Sequence, residues 1–478
     1  MTKRPTGPSG KTLVALLLAL VAAKLGLDQL VDTDLFWQLR LGLDAIAAGR
    51  LPAAVAHSWT ARGEPFLAKD WASQLVFAGL WRLGGFPAIA LAKGLASAAL
   101  ALLAFSAGLR RSRGHLLAAA LAAALTLVVG ATQLVTRPLL FGSLCLAAEI
   151  LLLERIREGE TRFALALPPL FCAWVNLYRS WPVGLLLLVA HAAAALVPGS
   201  IGRLRAGLAP EAARRPLLLA TAGSTAALFL NPLGPRLVWS PFDLLHQGAP
   251  LRLVAEWSPL PWTSPGFWAL ALCGLLFALA LARGSSPVPI AELALFALLF
   301  GLSLHAAVYC APFSLVAAPA LAGALAGALP RRPLLERRGA NALVAALGLG
   351  LLGSLCVARV VRWRAAVAAL EPVAAAELLL SSPAGGARGF HHYDWGGYLL
   401  FRGLPSYVDG RLEPFRDDGV LARYLSIERR GDVAALEAED VRWVLDRPDW
   451  PLARALRGSA GWRLAYRDGR SELWLREP

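Results

Sequence analysis

The chain has 478 residues, of which 57% are hydrophobic and only 17% are charged, and its mean hydropathy is +0.55. A soluble protein of this length would carry roughly 25% charged residues, so the composition excludes an ordinary soluble enzyme. The net charge of +15 does not indicate a nucleic-acid partner, because most arginines lie in short loops between apolar runs, as in membrane proteins.

Apolar runs that are each long enough to cross about 30 Å of hydrocarbon recur along the chain. The first, at 12–30, follows a short basic segment and lacks a small-residue cleavage site, which predicts an uncleaved helix. Ten further spans are predicted at 87–108, 116–134, 138–154, 163–178, 182–198, 217–231, 266–283, 287–308, 311–329 and 340–359. The sequence therefore predicts a polytopic α-helical membrane protein with about eleven transmembrane helices.

The arginines predict how these spans are oriented. The loops assigned to the inside carry the larger share: Arg110, Arg111, Arg113, Arg155, Arg157, Arg162, Arg203, Arg205, Arg214, Arg215, Arg283, Arg331, Arg332, Arg337 and Arg338. The loops assigned to the outside carry few: Arg137, Arg179, Arg236 and Arg252. By the positive-inside rule the N-terminus is cytoplasmic, and an odd number of spans puts the C-terminus outside.

Two segments outside the spans are expected to fold on the outer face. The first outer loop, 31–86, belongs to a transmembrane domain at 1–364. Amphipathic surface helices are expected in it, because apolar residues recur there at helical spacing: Leu35, Leu39, Leu43 and Ile46. A glycine pair, Gly84-Gly85, should break the second of these helices. The other segment, 365–478, is predicted to be a small α/β domain, with a helix and four strands at 366–380, 397–401, 406–408, 441–445 and 473–475.

Asp32 and Asp34 are the first candidates for chemistry, because two carboxylates directly after a membrane span are costly to place. One interpretation is that they cap or solvate a helix end. The other is that one of them acts as general base toward an acceptor hydroxyl. The pair could also help to hold a divalent cation such as Mg²⁺ or Mn²⁺, which take carboxylate oxygens.

Charged residues elsewhere are candidates for substrate binding. Lys69 and Asp70, at the far end of the same loop, could face the first pair across a cavity or form a surface ion pair at a helix start. Four cations could bind the phosphate of a lipid-linked substrate: Lys24, Lys93, Arg137 and Arg179. Snorkelling to the membrane interface is the alternative explanation for each of these four.

Two outer residues complete the candidates. Glu256 lies among aromatic residues, an arrangement that often holds sugars, although Trp239 and Trp262 also fit an interfacial aromatic belt. His305 is a polar residue within a predicted span, so it is a candidate for substrate binding, with a packing histidine as the alternative.

The sequence contains no Walker A loop, HExxH, dinucleotide-binding glycine pattern or nucleophile elbow, which disfavours an ATPase, a zinc protease and a soluble dehydrogenase. Other stretches carry recognisable motifs: Asp32-Thr33-Asp34-Leu35-Phe36-Trp37-Gln38-Leu39, His57-Ser58-Trp59-Thr60-Ala61-Arg62-Gly63-Glu64-Pro65 with Asp70-Trp71, Thr136-Arg137-Pro138-Leu139-Leu140-Phe141, Asn231-Pro232-Leu233-Gly234, Glu256-Trp257-Ser258-Pro259, Tyr393-Asp394-Trp395-Gly396-Gly397-Tyr398-Leu399 and Asp409-Gly410-Arg411. Together they resemble bacterial membrane proteins of the GT-C glycosyltransferase superfamily, in a branch related to the protein-mannosyltransferase-like and lipopolysaccharide-core enzymes.

The resemblance implies a GT-C-like fold and a glycosyltransferase of the bacterial inner membrane. Such an enzyme moves a sugar from a polyprenyl-phosphate donor to a lipid, glycan or protein acceptor on the periplasmic side. The resemblance implies that Asp34 or Asp32 is catalytic and that Asp70 is the second acidic position. It adds Trp395, Asp409 and Arg411 to the candidate substrate-binding residues, and it leaves the use of a divalent cation open.

Three positions depart from the family pattern: Gln38 replaces a histidine, 176–180 replaces an Asn-Leu-His-Gly-Gly stretch, and His305 alone remains of an Arg-His pair. These departures leave a second function open, that of a non-catalytic membrane protein of the same fold that binds a lipid or glycan or acts as an assembly partner. A transporter is disfavoured, because no paired Gly/Pro-interrupted spans mark two halves.

Overall fold

The structure is a computed structural model, and it describes residues 7–197, 199–207, 209–243, 255–284, 287–331, 337–415 and 419–477. Two arginines used above for orientation, Arg252 and Arg332, and the last residue of the predicted span 182–198 lie outside these ranges. The chain divides into two compact units. The helical unit comprises Met1–Leu30 and Ala90–Val360, and the α/β unit comprises Val31–Ile89 and Val361–Pro478.

Helices dominate the described ranges. In chain order they are α1 (Gly10–Asp28), α2 (Thr33–Ala48), α3 (Trp71–Arg111), α4 (Leu116–Gly130), α5 (Leu139–Arg157), α6 (Leu167–Leu177), α7 (Trp181–Leu196), α8 (Arg214–Ala227), α9 (Pro235–Trp239), α10 (Pro265–Arg283), α11 (Ile290–His305), α12 (Cys310–Ala328), α13 (Arg338–Val361), α14 (Trp363–Leu370), α15 (Val373–Ser381), α16 (Gly396–Arg402), α17 (Val420–Arg430), α18 (Val433–Ala438) and α19 (Pro451–Arg457). The strands are β1 (Ser200–Ile201), β2 (Leu204–Arg205), β3 (Val288–Pro289), β4 (Gly389–His391), β5 (Trp443–Asp446), β6 (Trp462–Arg467) and β7 (Glu472–Arg476).

The predicted spans and the helices of the structure agree. Each of the eleven spans coincides with a helix, from α1 to α13. By length and composition, six helices in the described ranges can cross a membrane, and α7 and α11 are shorter apolar helices. The predicted break in α3 is also confirmed, because Gly85 has a φ of +64°, a conformation that glycine adopts at little steric cost. The chain is a polytopic helical membrane protein.

The helical unit packs around α12. In the most apolar stretch of this helix 72% of the residues are buried inside the protein, whereas in the corresponding stretch of α13 only 6% are buried. Alanine and glycine make up much of α12, and such small residues let neighbouring helices approach closely. α12 is therefore the central helix of this unit, and α13 has the exposed apolar surface expected of a helix that faces lipid.

The α/β unit is built around a four-stranded sheet in the order β4-β5-β7-β6. β4 pairs with β5 in parallel, and β7 pairs antiparallel with both β5 and β6. The core of the unit includes Val55 and Ala61 of the predicted first outer loop, packed with residues of the C-terminal segment such as Tyr407. The backbone of this loop also hydrogen-bonds to Ser406 at Trp59 N and His57 O. The first outer loop and the C-terminal segment therefore fold together.

Several predictions for the C-terminal segment were wrong. The predicted strand 397–401 is helix α16, because Gly397 packs directly against Thr33 and Trp37 of α2. The predicted strand 406–408 is reduced to a single bridge between Ser406 and Ser58. The predicted helix 366–380 is split into α14 and α15. The break lies at Glu371, because the ring of Pro372 disfavours helical backbone at the residue before it. The strands predicted at 441–445 and 473–475 are confirmed as β5 and β7.

Candidate functional site

The acidic pair lies at the start of α2. Asp32 is the N-cap residue of this helix, and its side chain accepts a hydrogen bond from the backbone N of Asp34 at 2.9 Å. A carboxylate there satisfies an otherwise unpaired N–H group and interacts favourably with the helix dipole, worth about 1 kcal/mol. The capping interpretation therefore describes Asp32, while Asp34 lies in the first turn of α2 with a different set of neighbours.

Asp34 is held between an indole and a tight turn. Trp37 donates from Nε1 to Asp34 Oδ1 at 3.0 Å. On the other side is the backbone of Gly410, where a Cβ atom would overlap Asp34 Oδ1 and lie 2.8 Å from Trp37 Nε1. Only glycine permits this approach without displacing the carboxylate. The Asp-x-Asp motif of the first loop and the Asp409-Gly410-Arg411 motif are thus parts of one site in the α/β unit.

Asp409 and Arg411 form a buried ion pair that shapes this turn. The Arg411 guanidinium donates to the two Asp409 carboxylate oxygens at 2.7 and 2.6 Å, and the Arg411 backbone N donates to Oδ1 at 3.1 Å. Their side chains are 0% and 1% exposed. Such a bidentate pair fixes geometry as well as energy. Within the described residues Arg411 Nη1 is buried without a hydrogen-bond partner, and the guanidinium carbon lies 5.6 Å from the centre of the Phe66 ring.

Lys69 and Asp70 belong to the same unit. Lys69 is buried and forms an ion pair with Glu413, which lies two residues after Arg411. Asp70 immediately precedes α3 and is also buried. The ion pair therefore links the end of the first outer loop to the segment that carries the Asp409–Arg411 turn.

A buried acid that sequence reasoning missed lies close to Asp32. Glu371 occupies the break between α14 and α15 and is 1% exposed, and in the described part of the chain neither of its carboxyl oxygens has a hydrogen-bond partner. Burial, together with the negative charges of Asp394 and Asp32, raises the pKa of Glu371 well above its usual range. Burial therefore favours the protonated, uncharged form of this carboxyl group. The one sequence signal for it was the Glu-Pro break within the predicted helix.

Trp395 is part of the packing of the α/β unit. It is fully buried, and its indole donates to the carbonyl oxygen of Leu370 at 3.2 Å. Next to it, Asp394 pairs with Arg447 at 2.8 Å. Burial raises the pKa of Asp394, and the positive charge of Arg447 opposes this shift. Trp395 is thus a packing residue of this unit in the structure, and its side chain is not exposed to a substrate.

The candidate cations of the first spans belong to the helical unit. Lys24 pairs with Asp28 at 2.6 Å, and Arg359 approaches the same carboxylate at 3.2 Å. Lys93 is 2% exposed and donates to the carbonyl oxygen of Gln29. Lys24 and Lys93 therefore both bind groups at the C-terminal end of α1.

The remaining predicted residues also lie in the helical unit. Arg137 forms an ion pair with Glu256, with both side chains about one-quarter exposed. Arg179 is half-buried in the turn between α6 and α7, and His305 is the exposed last residue of α11. The structure thus joins Arg137 to Glu256, the two residues that sequence reasoning had proposed separately for phosphate and for sugar.

Asp32 and Asp34 could hold a divalent cation only if water and substrate phosphates supplied its other ligands. Among the described residues no three His, Cys, Asp or Glu side chains are grouped so that they could hold a metal ion. Two carboxylates are nevertheless enough for Mg²⁺ when water and substrate phosphates complete its coordination. Asp32 and Asp34 would hold the ion in that mode.

Comparison with models of protein families gives no match, and comparison with curated proteins by sequence gives none either. Solved structures do match. The apo oligosaccharyltransferase of Archaeoglobus fulgidus superposes with a TM-score of 0.57 at 13% identity, over 92% of this chain and 69% of that one. ArnT of Cupriavidus metallidurans, bound to undecaprenyl phosphate, gives a TM-score of 0.54 at 13% identity, over 97% of both chains. The chain has the GT-C fold.

A further structure with the GT-C fold is the archaeal oligosaccharyltransferase AglB in complex with an inhibitory peptide and a dolichol-phosphate. It matches with a TM-score of 0.55 at 12% identity, over 98% of this chain and 74% of that one. Because these matches extend over nearly the whole chain, the GT-C fold predicted from the motifs is confirmed.

Proposed function

We propose that the chain is a glycosyltransferase that moves a sugar from a polyprenyl-phosphate-linked donor to an acceptor on the periplasmic side of the bacterial inner membrane. The GT-C fold supports this proposal, because solved proteins of that fold hold dolichol-phosphate or undecaprenyl phosphate. The observation that carries it is the Asp34 carboxylate, which Trp37 and the Gly410 turn hold in one position.

Asp34 is the proposed general base. The acceptor oxygen attacks the anomeric carbon of the sugar, and the bond from that carbon to the phosphate oxygen breaks. Polyprenyl phosphate leaves with the bonding electrons, and the acceptor proton passes to the Asp34 carboxylate. A positioned base of this kind contributes roughly 10²–10⁴-fold to a rate.

The neighbours of Asp34 act as positioning residues. The Trp37 indole restricts the carboxylate to one orientation, and Asp32 fixes the first turn of α2 on which Asp34 lies. A divalent cation, where one is used, would be held by Asp32 and Asp34 and would neutralise charge on the leaving phosphate.

Cations of the helical unit are proposed to bind the donor phosphate. Arg137 is the main candidate, because guanidinium groups bind phosphate oxygens in pairs and its side chain is about one-quarter exposed. We propose that three further cations add positive charge near the donor phosphate: Lys24, Lys93 and Arg179. The sugar or the acceptor is proposed to contact Glu256 and His305.

The base assignment is tested with full-length protein in nanodiscs, supplied with polyprenyl-phosphate sugars and assayed for free polyprenyl phosphate. Asp34→Asn keeps the shape of the side chain and removes its basicity, so turnover should fall at least about 100-fold. Glu64→Gln is the matched control, since Glu64 is an exposed carboxylate of the same loop. Wild-type turnover in Asp34→Asn would exclude this base. Donor binding without turnover in the wild-type protein would favour the non-catalytic alternative.

A further inference from the structure

The helical unit contains a cavity of about 490 Å³ whose walls carry six arginines, at the end of the bundle that the sequence assigns to the cytoplasm. Pockets for small ligands measure roughly 300–1,000 Å³, so the cavity can hold one. The arginines come from helix ends and connections at four different places in the chain: Arg111, Arg113, Arg157, Arg203, Arg205 and Arg331. Their convergence on one cavity goes beyond the simple excess of arginine that the positive-inside rule requires.

Two of the six arginines are fixed by carboxylates. Glu154 accepts from Arg157 Nε at 2.8 Å and from Arg111 Nη1 at 3.2 Å, and Glu292 pairs with the other Nη of Arg111. The Arg111 side chain is 7% exposed, and it passes over Gly323 of α12, where a Cβ would lie 2.9 Å from its Cγ. These two arginines therefore form a rigid wall whose charges the two glutamates balance.

The backbone fixes the position of two further arginines. β2 pairs in parallel with β3, with Arg205 opposite Pro289. The preceding residue of the hairpin turn, Arg203, accepts from Val288 N through its carbonyl oxygen and donates from Nη1 to Leu281 O at 2.8 Å. A short sheet that joins two connections of the bundle thus places both arginines at the cavity wall.

Within the described ranges, three of the six arginine side chains in the cavity wall have no carboxylate beside them. The side chains of Arg113, Arg205 and Arg331 are exposed, and none of these three side chains has a hydrogen bond or ion pair to another described residue. Arg113 also has a φ of +52°, a left-handed conformation that is disfavoured for any residue with a Cβ atom. Three positive charges that face one cavity repel each other, which an anion between them would relieve.

We infer that this cavity binds a phosphate-bearing anion through Arg113, Arg205 and Arg331, against the wall formed by Arg111 and Arg157. Guanidinium groups match phosphate oxygens in geometry and charge, and several around one phosphate are a common binding arrangement. The anion is either the headgroup of an anionic lipid or a soluble phosphate compound, since both carry the same recognised group.

The test uses the full chain in nanodiscs of phosphatidylcholine and titrates inorganic pyrophosphate by calorimetry. The cavity variant is Arg113→Gln/Arg205→Gln/Arg331→Gln. The matched control is Arg162→Gln/Arg214→Gln/Arg215→Gln, which removes three exposed arginines on the same predicted side that do not line the cavity. Affinity should fall at least about 30-fold in the cavity variant and change less than about threefold in the control.

A second arm identifies the source of the phosphate. The same proteins are released from nanodiscs that contain phosphatidic acid, and bound lipid is counted by native mass spectrometry. Phosphatidic acid retained by the control and lost from the cavity variant identifies a lipid headgroup, and pyrophosphate binding alone identifies a soluble phosphate.

Two results would overturn the inference: the wild-type protein binds neither probe, or the cavity variant binds both as well as the control does. If the triple variant does not fold, Arg205→Gln alone should weaken binding about fivefold, and unchanged binding in that variant would equally overturn the inference.

Discussion

Gly410→Ala is the substitution that most directly tests how Asp34 is held. The new Cβ would overlap Asp34 Oδ1 and lie 2.8 Å from Trp37 Nε1, whereas ordinary contact begins at 3.4 Å. The carboxylate would have to retreat by about 1 Å, and a displacement of that size in a catalytic group can cost about 100-fold in rate. We expect turnover to fall about 100-fold, with a smaller change in the affinity for donor.

The assay is the release of free polyprenyl phosphate by full-length protein in nanodiscs, with the melting temperature measured on the same samples. Gly386→Ala is the matched control, because Gly386 lies in the same unit, is exposed and has no atom within 4 Å of an added Cβ. Full turnover in a folded Gly410→Ala protein would refute the reasoning, since the position of Asp34 against this turn would then not matter.

Three further predictions concern the α/β unit. Trp37→Phe removes the indole donor to the base and should lower turnover about tenfold at unchanged donor affinity, which steady-state kinetics would measure. Burial raises the pKa of Glu428 to about 7. Its proton therefore stabilises the folded state below pH 4.5, and this contribution is lost as the pH rises through 7. Glu428→Gln should thus increase the free energy of unfolding at pH 8 by up to about 3 kcal/mol and change it little at pH 5. The melting temperature measured at the two pH values would follow this change. A double-mutant cycle of Lys69→Met and Glu413→Gln, followed by melting temperature, should give a coupling of about 1–3 kcal/mol.

Each of these three has an outcome that contradicts it. Equal turnover in Trp37→Phe would show that the indole does not orient the base. A melting-temperature gain for Glu428→Gln that is the same at pH 5 and pH 8, or that also occurs in the exposed control Glu437→Gln, would contradict the assigned titration. Additive effects of the Lys69 and Glu413 substitutions would show that the ion pair contributes nothing to stability.

The helical unit could be predicted in detail because the information is local. Hydropathy alone positions a span such as 266–283, which is α10 in the structure. A local glycine signal likewise predicted the break in α3 at Gly85, in the part of that helix that belongs to the α/β unit. The same local rules failed at 397–401, where aromatic residues favour a strand. There, Tyr398 packs edge-to-face on Phe36 of α2 at 5.1 Å, and this long-range packing selects the helix.

The candidate site could be predicted only in part. The sequence indicated that Asp34 and Gly410 each belong to a motif, but their contact joins segments near opposite ends of the chain, and no local pattern encodes such a pairing. Glu371 belongs to no motif, and its pKa is raised mainly by burial among residues of other elements. The arginines at the cavity could be assigned to one side by their loops, whereas their convergence depends on the packing of α12 and the short sheet β1–β3.

Sugar transfer from a polyprenyl-phosphate donor is the activity proposed for this chain. The most direct measurement incubates the wild-type protein with a panel of such donors and mixed membrane acceptors, and quantifies free polyprenyl phosphate by mass spectrometry. We expect donor-dependent release with one or a few sugars, and release at background level with Asp34→Asn. Equal release from the wild-type protein and Asp34→Asn, or no release with any donor and acceptor, would contradict the proposal.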